Sequence, residues 1–184
     1  SASDGLGWRN VALRGYRYRG QDVHIPPMRD FLIVAYTRGG TPMERSCEGR
    51  WTRTTCAPGS VSLMTRAQRS SWNWSENIDV NHLYLTRELL TGLAAEALDG
   101  NVADVILRDV LNVDDPVITA ATAALQVEAR QRALGGALYA EAVGTQLALH
   151  LLRHYSSVTL RERADTGCLT GTQRRQVTDY VETH

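Results

Sequence analysis

A chain of 184 residues with 43% apolar side chains can bury one core, or one core and part of a second. Its twenty basic and twenty acidic residues cancel, although residues 1–74 hold eleven Arg against five Asp and Glu. No apolar run reaches the roughly 18 residues of a membrane span and no charged-then-apolar leader opens the chain, so a soluble, cytoplasmic protein without a membrane partner is expected.

Every basic residue is Arg, and this usage alone does not make a nucleic-acid surface of Arg14, Arg17, Arg19, Arg66 and Arg69. Cys47, Cys56 and Cys168 are odd in number and lack Cys-x-x-Cys spacing, which argues against a disulfide framework or a zinc site. Reduced thiols are expected, with a redox pair of Cys47 and Cys56 flanking one hairpin left open.

From Trp8 to Thr86 the pattern is that of strands. Tyr16 and Tyr18 alternate with Arg17 and Arg19, Phe31 to Tyr36 form a continuous apolar run, and Trp51, Arg53 and Thr55 share one strand face. Pro26-Pro27, Gly39-Gly40-Thr41-Pro42 and Ala57-Pro58-Gly59-Ser60 punctuate these runs at the intervals of an antiparallel sandwich or barrel. Further strands are expected at 61–64, 71–74 and 80–85, the last with His82 and Tyr84 on one face and Leu83 and Leu85 on the other.

Thr86 caps an expected helix over 87–98 with Leu89, Leu90, Leu93 and Ala97 inward. A last strand is expected over 105–113. Asp115 as N-cap with Pro116 at the first helical position then starts a second helix, with Ile118, Ala121, Leu125 and Ala129 on its buried side. Gly135-Gly136 reverses the chain into an antiparallel partner over 137–155. That partner is apolar over most of its circumference, with a polar wedge at Gln146, His150 and Arg153, and Ala140, Gly144 and Ala148 spaced for close approach. A protein interface there is the favoured expectation, and packing inside one subunit is the rival.

Catalytic chemistry finds no constellation. There is no His-x-His, P-loop, Gly-x-Ser-x-Gly or Gly-x-Gly-x-x-Gly, and His24, His82, His150, His154 and His184 are scattered. No catalytic residue, metal site or cofactor is therefore expected. Aromatic residues stand out instead: Trp51, Trp72 and Trp74, with Tyr36 and Tyr84, fall on neighbouring strands. Beside Asn81, His82 or Arg29 they would make an apolar pocket with a few polar handles for a small organic ligand. The candidate ligand-binding residues are thus Tyr36, Trp51, Trp72, Trp74, His82 and Tyr84. The same rings would serve equally as core filling, and alternation alone does not fix which face is inward.

Over the last stretch, LTGTQRRQVTDYVETH, Thr170 or Thr172 can cap a helix whose apolar side is Val177, Tyr180 and Val181. It reads as the first helix of a further domain.

Taken together, CAPGSVSLM, the Asp-Asp-Pro helix start, GGALYAEAVGTQLALHLLRHYS and LTGTQRRQVTDYVETH resemble the AraC/XylS family of bacterial transcription regulators. The resemblance implies an α+β fold, an N-terminal antiparallel β-barrel (cupin-like) followed by an antiparallel helix hairpin. It also implies a division into a sensor domain with one short helix at 1–114, a dimerisation hairpin at 115–157, and a linker with the truncated first helix of a helix-turn-helix domain at 158–184. The implied partners are a small-molecule effector, a second copy of the chain, and promoter DNA reached only through a C-terminal helix-turn-helix domain not in this sequence. Leu125, Leu138, Leu147 and Leu151 are the expected dimer interface. Ser70 or Ser71 stands where catalytic cupins place a metal-binding His, which weakens the alternative of a cupin-like enzyme. A free-standing small-molecule-binding protein is the other alternative.

Overall fold

Strand β3 (Phe31–Arg38) sits in the middle of the molecule, because all six residues from Phe31 to Tyr36 are buried and neither of its faces meets water. A strand apolar at both parities needs cover on both sides. The computed structural model describes residues 2–47, 49–64, 69–99, 102–131 and 133–160. In it β3 is the centre of a five-stranded antiparallel sheet, between β8 (Ile78–Leu85) and β6 (Ser60–Met64), with β1 (Val11–Tyr18) and β10 (Val110–Asp114) at the edges. A second antiparallel sheet has the order β2 (Gln21–Ile25), β7 (Ser70–Trp74), β4 (Thr41–Cys47), β5 (Arg50–Cys56).

Alternation divides the five-stranded sheet between two cores. Val11, Leu13, Phe31, Ile33, Leu63, Leu83 and Leu85 point to one side, where three helices cover them: α1 (Arg87–Ala97), α2 (Pro116–Gln131) and α3 (Gly136–Tyr155). Leu32, Val34, Tyr36, Met64 and Val80 point to the other, against Met43, Trp72 and Trp74 of the four-stranded sheet. The result is three layers, helices on sheet on sheet. The two sheets are hydrogen-bonded separately, so the expected barrel is instead a sandwich among the described residues. At one border Asn112 Nδ2 donates to the Thr55 carbonyl at 2.9 Å, a side-chain link where a closed barrel would have a ladder.

The helix starts form as their caps require. Thr86 Oγ1 accepts from the Leu89 N–H, and Asp115 Oδ1 accepts from the Val117 and Ile118 N–H groups. Two elements depart from expectation. The single strand over 105–113 is broken at Arg108-Asp109, so β9 (Val102–Leu107) and β10 enter different sheets. Strand β11 (Ser156–Leu160), expected as linker beyond 157, pairs with β9 directly from the end of α3. The expected helix beyond Leu169, and Cys168, lie outside the described residues.

The apolar breadth of α3 is used within the subunit. Ala140, Leu147, Ala148 and Leu151 are fully buried, as is Leu125 of α2. A Cβ on Gly144 would stand 3.2 Å from Val11 Cβ, so the missing side chain at this position lets α3 approach β1. This corrects the interface assignment of Leu125, Leu147 and Leu151: they are core, because sheet and helices leave them no solvent to exchange for a partner. Leu138 alone of the four is exposed. Glu141 fastens the same helix to the N-terminal segment, accepting from the Arg9 and Asn10 N–H groups and from Asn10 Nδ2 at 2.7–3.0 Å.

Candidate ligand-binding cavity

Strands β7 and β4 turn large side chains toward β3 and β8, and the layers do not close completely over them. Trp72 and Trp74 are inward on β7 and Met43 on β4, facing Leu32, Val34 and Tyr36 of β3 and Val80 and His82 of β8. Between them lies a cavity of about 130 Å³, bordered at one end by Tyr18, Gln21, Val23 and Ile25. An apolar void of this order is large enough for a benzene-sized molecule.

Polar atoms around it are few and mostly satisfied. Trp72 Nε1 donates to Ser70 Oγ at 2.9 Å. The Tyr36 hydroxyl meets Ser62 Oγ at 3.2 Å, and Ser62 in turn donates to the Leu111 carbonyl. His82 Nδ1 lies 3.3 Å from the Tyr84 hydroxyl, with the Tyr16 and Tyr18 rings at 4.7 and 5.9 Å from the imidazole. Trp74 Nε1 is buried without a partner.

Burial governs ionisation here. It lowers His82 to about 4 and raises Tyr18 to about 12, and it carries Tyr36 well above the ordinary phenol range. Tyr84, raised to about 12 by burial and then by Tyr16, follows. At neutral pH these four groups are uncharged. Arg45, buried and inward on β4 but not among the residues that line the cavity, meets Asp109 Oδ2 through Nη2 at 2.8 Å, and its guanidinium stacks 5.1 Å from the Trp72 ring centroid.

Of the expected ligand-binding residues, Tyr36, Trp72, Trp74 and His82 line the cavity, and Tyr84 stands behind His82. Trp51 does not belong with them. It is 60% exposed because Cys56 fixes the inward parity of β5, and Trp51, an odd number of residues away, faces out with Arg53. Arg29 pairs with Glu88 at the surface, and Asn81 points to the helix side, accepting from Gln126 Nε2. Sequence reasoning missed Tyr18, Met43, Met64 and Leu32. The alternation of Tyr16 with Tyr18 carried a signal for the first, whereas the other three look like any core residue. The redox pairing is also corrected: Cys56 sits opposite Thr41 and Cys47 opposite Arg50, at the two ends of one hairpin, roughly 20 Å apart by strand rise.

Among the described residues, no three His, Cys, Asp or Glu side chains converge as metal ligands, and no helix is long and apolar enough to cross a membrane.

A two-sheet sandwich with helices on one face and an apolar cavity between the sheets defines a fold suited to enclosing a small molecule. Structures of ToxT from Vibrio cholerae, an AraC-family regulator, share it. The apo K231A form aligns with 96% of this chain and 72% of its own at 13% identity and a TM-score of 0.57. A form bound to (E)-4-(8-methylnaphthalen-1-yl)but-3-enoic acid aligns with 96% and 73% at 12% identity and 0.56. Likeness to a cupin superfamily protein of Desulfitobacterium hafniense is confined to 42% of this chain at a TM-score of 0.35, too little to define the fold. No protein-family model and no curated protein matches the sequence.

Proposed function

We propose that this chain is the effector-binding and dimerising region of a bacterial AraC-type transcription regulator, in which a small molecule held between the sheets governs DNA binding by a C-terminal helix-turn-helix domain. The apolar cavity at Trp72, Trp74 and His82 carries the proposal. Two further observations support it: likeness to ToxT runs along nearly the whole chain, and one ToxT structure holds an aromatic acid.

Dimerisation is assigned to the outer side of the α2 and α3 hairpin, where Leu134, Leu138 and Tyr139 are exposed. Exposed apolar side chains clustered on one surface are a usual mark of a partner site. For an effector to control DNA binding, it must bind two arrangements of the dimer with different affinity.

The test uses Trp72 and Trp74 as reporters. A saturable change in tryptophan fluorescence with an apolar small molecule is expected, together with an altered affinity of the intact regulator for its promoter. Fluorescence that stays flat across a panel of aromatic and aliphatic metabolites would remove the sensing role.

A further inference from the structure

A second recess lies on the other face of the five-stranded sheet from the apolar cavity. Along β8, Asn81 and Asp79 turn to the helix side and His82 to the cavity, so alternation sets the two spaces back to back. The C-terminal ends of β1 and β3, the start of β8 and the last turns of α2 enclose a cleft of about 510 Å³.

Its rim is basic. Arg17, Asp79 and Arg38 stand side by side across β1, β8 and β3, and Arg130 comes from α2. Arg38 reaches this side through a bulge. The register of β3 against β8 shifts between Tyr36 and Arg38, which places Arg38 opposite Asp79. In an unbroken strand Arg38 would share the side of Val34 and Tyr36 and face the other core. Asp79 is matched by Arg17, whose Nε and Nη2 meet its two oxygens at 3.0 and 3.5 Å. Arg38 and Arg130 have no acidic partner among the described residues, so the rim keeps their two positive charges.

The floor is polar and recessed. Asn81 is 3% exposed and accepts from Gln126 Nε2 at 3.3 Å. Neither Asn81 Nδ2 nor Gln126 Oε1 has a partner among the described residues. Buried amides ordinarily have both groups filled, and both side chains line the cleft.

We propose that this cleft is a second ligand site and takes a small sugar phosphate, its phosphoryl group held by Arg38 and Arg130 and its hydroxyls by Asn81, Gln126 and Asp79. A phosphate monoester carries roughly two negative charges at neutral pH, which equals the charge left at the rim, and guanidinium forks suit its oxygens. The volume is that of a small-molecule site, larger than a bare phosphate needs. No aromatic face is offered to a nucleobase, because the Tyr16 ring lies on the far side of the sheet against Tyr18 and His82. Donors and acceptors together at the floor match hydroxyl groups instead.

Calorimetry on the full chain at neutral pH tests this with glucose 6-phosphate and ribose 5-phosphate, against inorganic phosphate and glucose. At least one sugar phosphate should bind ten times more tightly than either partial probe. Arg38→Gln and Arg130→Gln, both at exposed positions, should each weaken that binding fivefold or more, and Gln126→Leu should narrow the margin over inorganic phosphate. Arg53→Gln, which removes an exposed arginine of β5 outside the cleft, should leave it unchanged. Equal affinity for inorganic phosphate and both sugar phosphates would overturn the sugar. Equal losses in Arg53→Gln would reduce the effect to net charge, and no binding of either sugar phosphate at millimolar concentration would overturn the site. None of these outcomes bears on the apolar cavity.

Discussion

The Asp115 carboxylate accepts the Tyr155 hydroxyl at 2.6 Å, which joins the residue that starts α2 to the residue that ends α3. The same oxygen meets His150 Nε2 at 2.8 Å, while the other caps the helix through the Val117 and Ile118 N–H groups. Burial alone would raise this carboxyl, but the hydrogen bonds from Tyr155, His150 and Ile118 outweigh it and hold it at about 2.

Asp115→Ala should therefore lower stability by about 2–3 kcal/mol, combining a lost N-cap with unsatisfied partners. Asp115→Asn should cost less, because it keeps the cap. Since the folded carboxyl sits below its ordinary value of 3.8, its contribution is complete above about pH 4 and falls away as pH drops toward 2. Urea unfolding across that range should show the loss in the parent chain and a flatter profile in Asp115→Asn.

Leu147 and Leu138 lie on one helix and should respond oppositely. Leu147 is fully buried, so Leu147→Ala should cost about 2–5 kcal/mol, and Leu147→Glu should prevent folding rather than separate two subunits. Leu138→Glu, at an exposed site, should change stability by less than about 0.5 kcal/mol. By sedimentation it should shift a dimer toward monomer. An unchanged sedimentation coefficient would move the interface off this hairpin.

His82 sets an acid limit of a different kind. Its folded value of about 4 lies below the ordinary 6.5, so the unfolded chain takes up a proton first, and stability declines as pH falls from about 6.5 to 4. His82→Gln should flatten that segment of the pH profile, removing a decline on the order of 2–3 kcal/mol. Thermal unfolding of the two proteins at pH 7 and pH 5 measures it.

Val34 offers a way to close the cavity. Val34→Phe places an aromatic ring where the smaller aliphatic side chain of Val34 now borders the space. Ligand binding should be lost, while overpacking limits the change in stability to about 1–3 kcal/mol. A variant that still binds with parent affinity would put the ligand elsewhere.

The helices were legible because their signals are local. Asp115-Pro116, Thr86 and Gly135-Gly136 mark ends by caps and turns that need no tertiary partner, and the structure puts the boundaries within a residue or two of them. Sheet membership was not, since nothing in 105–113 says that Arg108-Asp109 parts two sheets. Trp51 shows the limit for the site. Its face was assigned correctly relative to Arg53 and Thr55, but whether that face looks in or out depends on which sheet covers β5. Leu125, Leu147 and Leu151 show the same limit for helices: a wide apolar face demands cover, and the pattern does not say whether sheet or second subunit supplies it.

Strand β3 carries a cost in specificity. A strand with one polar face announces its pairing, because a slip of one residue would expose its apolar set. From Phe31 to Tyr36 both parities are buried, so a slipped β3 would remain as apolar on either side as the correct one. Its alignment must be enforced from outside, by Asn81 and His82 on β8 and by Ser62 on β6, which bonds to the hydroxyl of Tyr36. Replacing Ser62 and Asn81 with aliphatic residues would thus remove much of what tells the central strand where to stop.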